Sequence, residues 1–141
     1  MIAREAYRSV GLITGGRVID PASGFDGIAD VHIDDHGRVV RIEKSSSGRR
    51  SEAGPHAVID ATGKIVAPGF VDLHVHLREP GREDEETVAS GSAAGVKGGF
   101  TTLCCMPNTN PPIADQETVR FVLDRAQSAL GRVHPIGAIT K

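Results

Sequence analysis

From Pro68 onward the chain alternates short apolar runs with helical stretches, and this rhythm limits the possible folds more than any other feature. Phe70-Val71-Asp72-Leu73-His74-Val75-His76-Leu77 reads as a strand, followed by a Gly/Pro loop over residues 78–82. Residues 84–97 read as a helix, with Asp84, Glu85 and Glu86 at its start, where negative charge complements the helix dipole. Val88, Ser92 and Val96 recur every fourth residue with Ala89 and Ala93 beside them, and Gly98-Gly99 supplies a left-handed cap. Gly91 and Gly95 each cost about 1 kcal/mol of helix propensity against Ala, and close packing on a sheet is one compensation. Phe100 to Met106 is a second strand, stopped by Pro107. Asp115 caps a second helix in which Val119, Val122, Leu123, Ala126 and Leu130 share a face and which Gly131 closes. Val133 to Thr140 is the third strand. A β-α-β-α-β order with short loops predicts parallel strands joined by crossovers, an α/β unit over residues 68–141.

Residues 1–67 have a different pattern. Val10–Thr14 and Arg17–Asp20 flank Gly15-Gly16, a hairpin signal. Residues 28–33 and 38–42 alternate around Asp34-Asp35-His36-Gly37, a second turn whose glycine takes positive φ. The polar stretch Ser45–Pro55 reads as a mobile surface loop. Ala57–Asp60 and Lys64–Ala67 flank a further Gly turn, so a small antiparallel β unit is expected. Lys and Arg total 16 against 18 Asp and Glu, a formal charge of −2, which argues against nucleic acid or an anionic membrane as partner. No apolar run approaches the roughly 20 residues that span a bilayer, and the N-terminus lacks the apolar core of a signal peptide. The adjacent Cys104 and Cys105 lie in an apolar strand and read as two buried thiols in a reducing cytoplasm.

The chemistry-bearing residues cluster just past the strands. His74 and His76, two apart on a strand, point to the same side and can reach one metal ion. Neutral imidazole suits zinc. The pair alone is a weak signal, since two ordinary half-exposed histidines have the same spacing. Its place at the C-terminal end of a strand before a Gly/Pro loop strengthens it, because parallel α/β folds bind ligands there. Arg78 follows at the same mouth, where a guanidinium can hold a carboxylate through two parallel hydrogen bonds, unless it is a solvated loop arginine. Asn108 occupies the equivalent place after the second strand and offers both a donor and an acceptor, unless it is an ordinary Asn/Pro turn.

The run Val71-Asp72-Leu73-His74-Val75-His76-Leu77-Arg78-Glu79-Pro80-Gly81, then Gly98-Gly99-Phe100-Thr101-Thr102 and Met106-Pro107-Asn108-Thr109-Asn110-Pro111, resembles the dihydroorotases of the amidohydrolase superfamily. The variety it resembles is the longer bacterial type, which carries a β-sandwich domain as well as a barrel. The H-x-H and G-G-x-T-T patterns are shared across cyclic-amide hydrolases; His-Leu-Arg-Glu-Pro-Gly with Met-Pro-Asn-Thr is more specific. The resemblance implies a (β/α)₈ barrel of TIM type preceded by a small antiparallel β-sandwich unit (residues 1–67, then 68–141). It implies zinc held in part by His74 and His76, and Arg78 and Asn108 binding the substrate carboxylate. The implied activity is reversible hydrolysis of the dihydroorotate ring amide to N-carbamoyl-aspartate, in pyrimidine (UMP) biosynthesis in the cytoplasm. Asp72 is not expected to bind metal itself; it is expected either to support a metal ligand from behind or to organise the backbone.

Such a barrel typically needs about 250 residues, whereas Pro68 to Lys141 supplies three strands and two helices. The further histidines, the bridging carboxylate and the general base of the family lie downstream of this stretch, so no catalytic base is expected in this chain. Lys141 comes too early in the family layout to be a carbamylated lysine and reads as a surface residue. The expectation is the N-terminal portion of an enzyme with an incomplete barrel, inactive alone, acting on a small-molecule substrate and forming a homodimer or a complex with aspartate transcarbamoylase. Two other readings stay open: a non-catalytic scaffold for aspartate transcarbamoylase, and a hydantoinase or allantoinase acting on another cyclic amide.

Overall fold

The structure, a computed structural model, describes residues 10–45 and 57–140. The first residues, most of the serine-rich loop and Lys141 lie outside the described residues. Two compact units are present, Met1–Pro68 and Gly69–Lys141.

The first unit contains β1 (Val10–Asp20), β2 (Phe25–Ile33), β3 (Val39–Lys44), β4 (Ala57–Asp60) and β5 (Ile65–Val66). β1 pairs antiparallel with β2, and β2 antiparallel with β3. The second turn forms as expected: Asp34 Oδ1 accepts from the backbone N–H of His36 and Arg38 at 2.9 and 2.8 Å, and Gly37 takes φ +73°. Two expectations are corrected. Gly15-Gly16 is not a hairpin turn but an irregularity inside one continuous strand, β1. The cause is non-local. Asp30 of β2 accepts from Gly15 N–H at 2.9 Å and from Thr14 Oγ at 2.8 Å, and a Cβ on Gly16 would lie 2.9 Å from Ala61 Cβ and 2.7 Å from Val66 Cγ2. The sheet is also mixed, not antiparallel, because β4 and β5 both run parallel to β1. Val18, Ala29 and Val31 form its buried centre, with Ile13, Phe25, Ile33, Ile42 and Val66 packed around them.

The second unit contains β6 (Phe70–Val75), α1 (Val88–Lys97), β7 (Phe100–Cys105), α2 (Gln116–Ala126) and β8 (Arg132–Pro135). The three strands form a parallel sheet in the order β6-β7-β8. α1 begins four residues later than its acidic run suggests, because Thr87 is the residue that caps it. Thr87 is extended (φ −111°, ψ 162°) and its hydroxyl accepts from Ser90 N–H at 3.1 Å, while Ser90 Oγ accepts from Thr87 N–H at 3.0 Å. Gly99, at φ +89°, takes the left-handed position after α1. The glycines inside α1 serve packing: a Cβ on Gly91 would lie 2.6 Å from Leu77 Cδ2, and one on Gly95 3.1 Å from Leu103 Cδ2. Asp115 caps α2, accepting from Thr118 N–H at 2.9 Å. That helix ends at Ala126, before Gly131, whose N–H donates to Ser92 Oγ at 2.9 Å. β8 stops at Pro135, short of the expected Thr140. Leu77, Val88, Cys105, Ile113, Val122, Ala129 and Val133 form the core between sheet and helices. The two thiols differ. Cys105 is buried, and burial pushes its pKa up, whereas Cys104 is only partly covered. Among the described residues no helix is long and apolar enough to cross a membrane.

Candidate active site

The strand ends are stepped together by backbone hydrogen bonds. Met106 N–H donates to Val75 O and Ile136 N–H to Cys105 O, each at 2.9 Å, so the loops after β6, β7 and β8 leave from one edge. That edge is the C-terminal one, where parallel sheets carry their chemistry.

His74 lies in β6 and His76 just beyond it. Asp72 Oδ1 accepts from His74 N–H at 2.9 Å, which organises the backbone between them. The two imidazoles sit edge to face, ring centroids 5.2 Å apart at 69°. Asn108, from the loop after β7, presents Oδ1 to His76 Nδ1 at 2.8 Å. An amide oxygen only accepts, so Nδ1 is the donor in this bond, and in the neutral imidazole Nε2 is then the nitrogen left to bind a metal. Metal-binding histidines are commonly oriented by a partner of this kind. The residues present thus fit a metal as part of a ligand set. Among the described residues no group of three or more His, Cys, Asp or Glu side chains could hold one.

Arg78 is in the first loop, with φ 60°. Glu79 N–H donates to Leu77 O at 2.7 Å, so Arg78 is the middle residue of a γ-turn with positive φ, a rare and strained conformation. Its guanidinium faces Glu85, Nε to Oε2 at 3.7 Å, and Glu85 also pairs with Arg82. The structure therefore joins His74, His76 and Asn108 in one contacting group, while the described partner of Arg78 is Glu85.

The two loops are also tied to one another. Asn110 N–H donates to Pro80 O at 3.0 Å, and Gly81, at φ +102°, packs directly on Asn110. Gly81 N–H donates to Glu83 Oε1 at 2.9 Å, which holds the Glu83 carboxyl below the usual carboxylate range. Sequence reasoning overlooked Glu79. It is only 6% exposed; its Oε2 accepts from Val88 N–H at 2.8 Å and its Oε1 pairs with Arg125 Nε at 3.0 Å. The one signal that could have found it is its position between Arg78 and Pro80 in the motif, since Arg125 is far away in sequence.

A family model described as dihydro-orotase-like matches residues 63–140, which include the histidine pair and both loops. The dihydroorotase of Solibacter usitatus (strain Ellin6076) is 52% identical over 131 residues, covering 92% of this chain and 29% of the relative. That of Aquifex aeolicus (strain VF5) is 44% identical over 131 residues, covering 92% of this chain and 30% of the relative. The chain spans less than a third of the length of these curated relatives. Among solved structures, an L-hydantoinase (dihydropyrimidinase) from Arthrobacter aurescens is similar with a TM-score of 0.66 at 28% identity, over 91% of this chain and 27% of that one. The motif-bearing loops, the parallel β-α-β-α-β unit and the matched span agree: the chain belongs to the dihydroorotase-like family.

Proposed function

We propose that this chain is the N-terminal part of a dihydroorotase that reversibly hydrolyses the ring amide of dihydroorotate to N-carbamoyl-aspartate. On this reading residues 68–141 begin a (β/α)₈ barrel, and residues 1–67 contribute one layer of a β-sandwich. The hollow of about 360 Å³ lined by Ile13, Val18, Val31, Ile33, Ile42 and Val66 supports a second apolar layer over that sheet. The observation that carries the functional reading is the His76–Asn108 hydrogen bond, because it brings a candidate metal ligand and a candidate substrate residue from two different loops together.

His74 and His76 would hold zinc, completed by ligands from outside residues 1–141. What zinc supplies when bound is Lewis acidity toward the amide carbonyl. The chain's own residues orient and anchor. Asn108 fixes the His76 tautomer through its oxygen and keeps its NH₂ for an anionic group. Arg78 is a third exposed and only loosely paired with Glu85, and such ion pairs contribute little. A substrate carboxylate making two parallel bonds to the guanidinium can therefore replace Glu85 at little cost.

A neutral cyclic amide is the competing substrate class, favoured by the likeness to the L-hydantoinase. Arg78→Ala in the full chain separates the two. A charge-assisted hydrogen bond contributes about 1.5–3 kcal/mol, so the KM for dihydroorotate should rise about 10- to 100-fold with kcat little changed. An unchanged KM would refute the carboxylate anchor.

A further inference from the structure

We infer that Glu79 is a positioning residue for Arg78, setting where the guanidinium meets the substrate carboxylate; the inference rests on the functional reading above. Arg78 is the only non-glycine residue with positive φ among the described residues. A backbone of that kind persists only where its surroundings over-determine it. The turn is pinned on both sides. Leu77, 2% exposed, is anchored in the core beside Val88. Glu79, 6% exposed, has a carboxylate divided between the two helices.

Each half of that carboxylate has a specific task. Oε2 accepts from the N–H of Val88, the first residue of α1, a donor that has no partner within the helix. Oε1 pairs with Arg125 in the last turn of α2, and the Arg125 guanidinium is itself stacked over Phe121, 5.0 Å from the ring centroid. The residue after Arg78 is thus bound to the ends of both helices that pack on the sheet. Stability alone does not account for the charge. A glutamine could still accept from Val88, and a buried carboxylate with a half-exposed partner is no more stabilising than a well-packed neutral residue. A fixed charge pair instead defines direction, and the side chain whose direction it defines is Arg78. A misplacement of about 1 Å in an anchoring group can lower efficiency up to about 100-fold.

The test is a double-mutant cycle in the full chain using Glu79→Gln, Arg78→Ala and the pair, with KM, kcat and bound zinc measured for each. Glu79→Gln should raise the KM for dihydroorotate about tenfold, leave kcat and zinc content within about twofold, and add nothing in the Arg78→Ala background. Equal losses in kcat and zinc, an unchanged KM, or an effect that persists in the Arg78→Ala background would overturn the inference. If Arg78→Ala itself leaves KM unchanged, the carboxylate-anchor reading fails, and the positioning inference fails with it. Should Glu79→Gln not fold, Arg125→Met takes its place in the same cycle. It keeps the Val88 hydrogen bond and removes the ion pair together with the stacking on Phe121, and the same outcomes decide.

Discussion

Gly81→Ala should be among the most damaging methyl additions in the second unit, and the reason is geometric. Gly81 has φ +102°, and a Cβ there would lie 2.2 Å from Asn110 O, 2.7 Å from Asn110 Cβ and 3.0 Å from Asn110 C. Two of these atoms are backbone, and Asn110 is itself held by its N–H to Pro80 O at 3.0 Å. No side-chain rotation relieves the clash, so the two loops must separate. The left-handed conformation costs about 1–2 kcal/mol for a residue with a Cβ. Forcing extra atoms into a packed site costs about 1–3 kcal/mol more. The loss on unfolding should be about 2–5 kcal/mol. Gly99→Ala is the control in the same unit. It also has positive φ, at +89°, but its Cβ would meet only Phe70 ring atoms at 3.4 and 3.6 Å, ordinary contact. It should cost only the backbone component, about 1–2 kcal/mol. Denaturant unfolding of the full chain gives the comparison, and hydrogen exchange of the Asn110 amide locates it. Faster Asn110 exchange in Gly81→Ala alone is expected. Equal destabilisation by the two variants with an equally protected Asn110 amide would refute the close-approach reasoning.

Asn108→Ala removes the acceptor that orients His76, so zinc affinity measured by chelator competition should fall about 10- to 100-fold; an unchanged affinity would show that the bond does not orient a ligand. Asp30 gives a pH signature. Its burial pushes its pKa up, but N–H of Gly15 and the hydroxyls of Thr14 and Ser45 outweigh this and hold it below the ordinary 3.8. The unfolded chain therefore binds more protons in acid, and the stabilisation is complete above the unfolded pKa and lost as pH falls through the folded one. Between pH 6 and pH 3 the native β unit should lose more stability than Asp30→Asn; parallel losses in equilibrium denaturation would count against this assignment.

The parts of the fold read correctly from sequence are those set by neighbours in the chain. The existence of α1 and α2, Asp115 as a cap, and the Gly37 and Gly99 turns all follow from a few adjacent residues, but Leu123 and Leu130, expected on the packed face of α2, are 44% and 56% exposed and Leu130 lies past its end. The misread parts depend on distant partners. Gly15-Gly16 has the composition of a hairpin, but Asp30, Ala61 and Val66 turn it into an irregularity within one strand. The parallel pairing of β4 and β5 with β1 has no local signature, since strands of either direction share the same alternation. The acidic run 84–86 predicts an earlier helix start than Thr87 provides, because charge preference at a helix end is weak beside a side chain that bonds the free N–H groups.

The candidate site divides in the same way, and the division has a consequence. His74, His76, Arg78 and Asn108 were visible because each carries reactive chemistry near a strand end. Glu79 and Gly81 stand in the same motif without such a signal, because a carboxylate and a glycine in a Gly/Pro loop have the composition of a solvated turn. Their roles depend on Val88, Arg125 and Asn110, which fold up against them. A motif such as His-Leu-Arg-Glu-Pro-Gly therefore mixes two kinds of constraint. On the proposed function, His76 and Arg78 are constrained by what they would bind. Leu77 and Glu79, which alternate with them, are buried against the helices, and Gly81 is fixed by its close approach to Asn110 of the neighbouring loop. That alternation gives the loop one face toward the site and one toward the helices, so a substitution on the buried face should reach the chemistry only through the residues beside it.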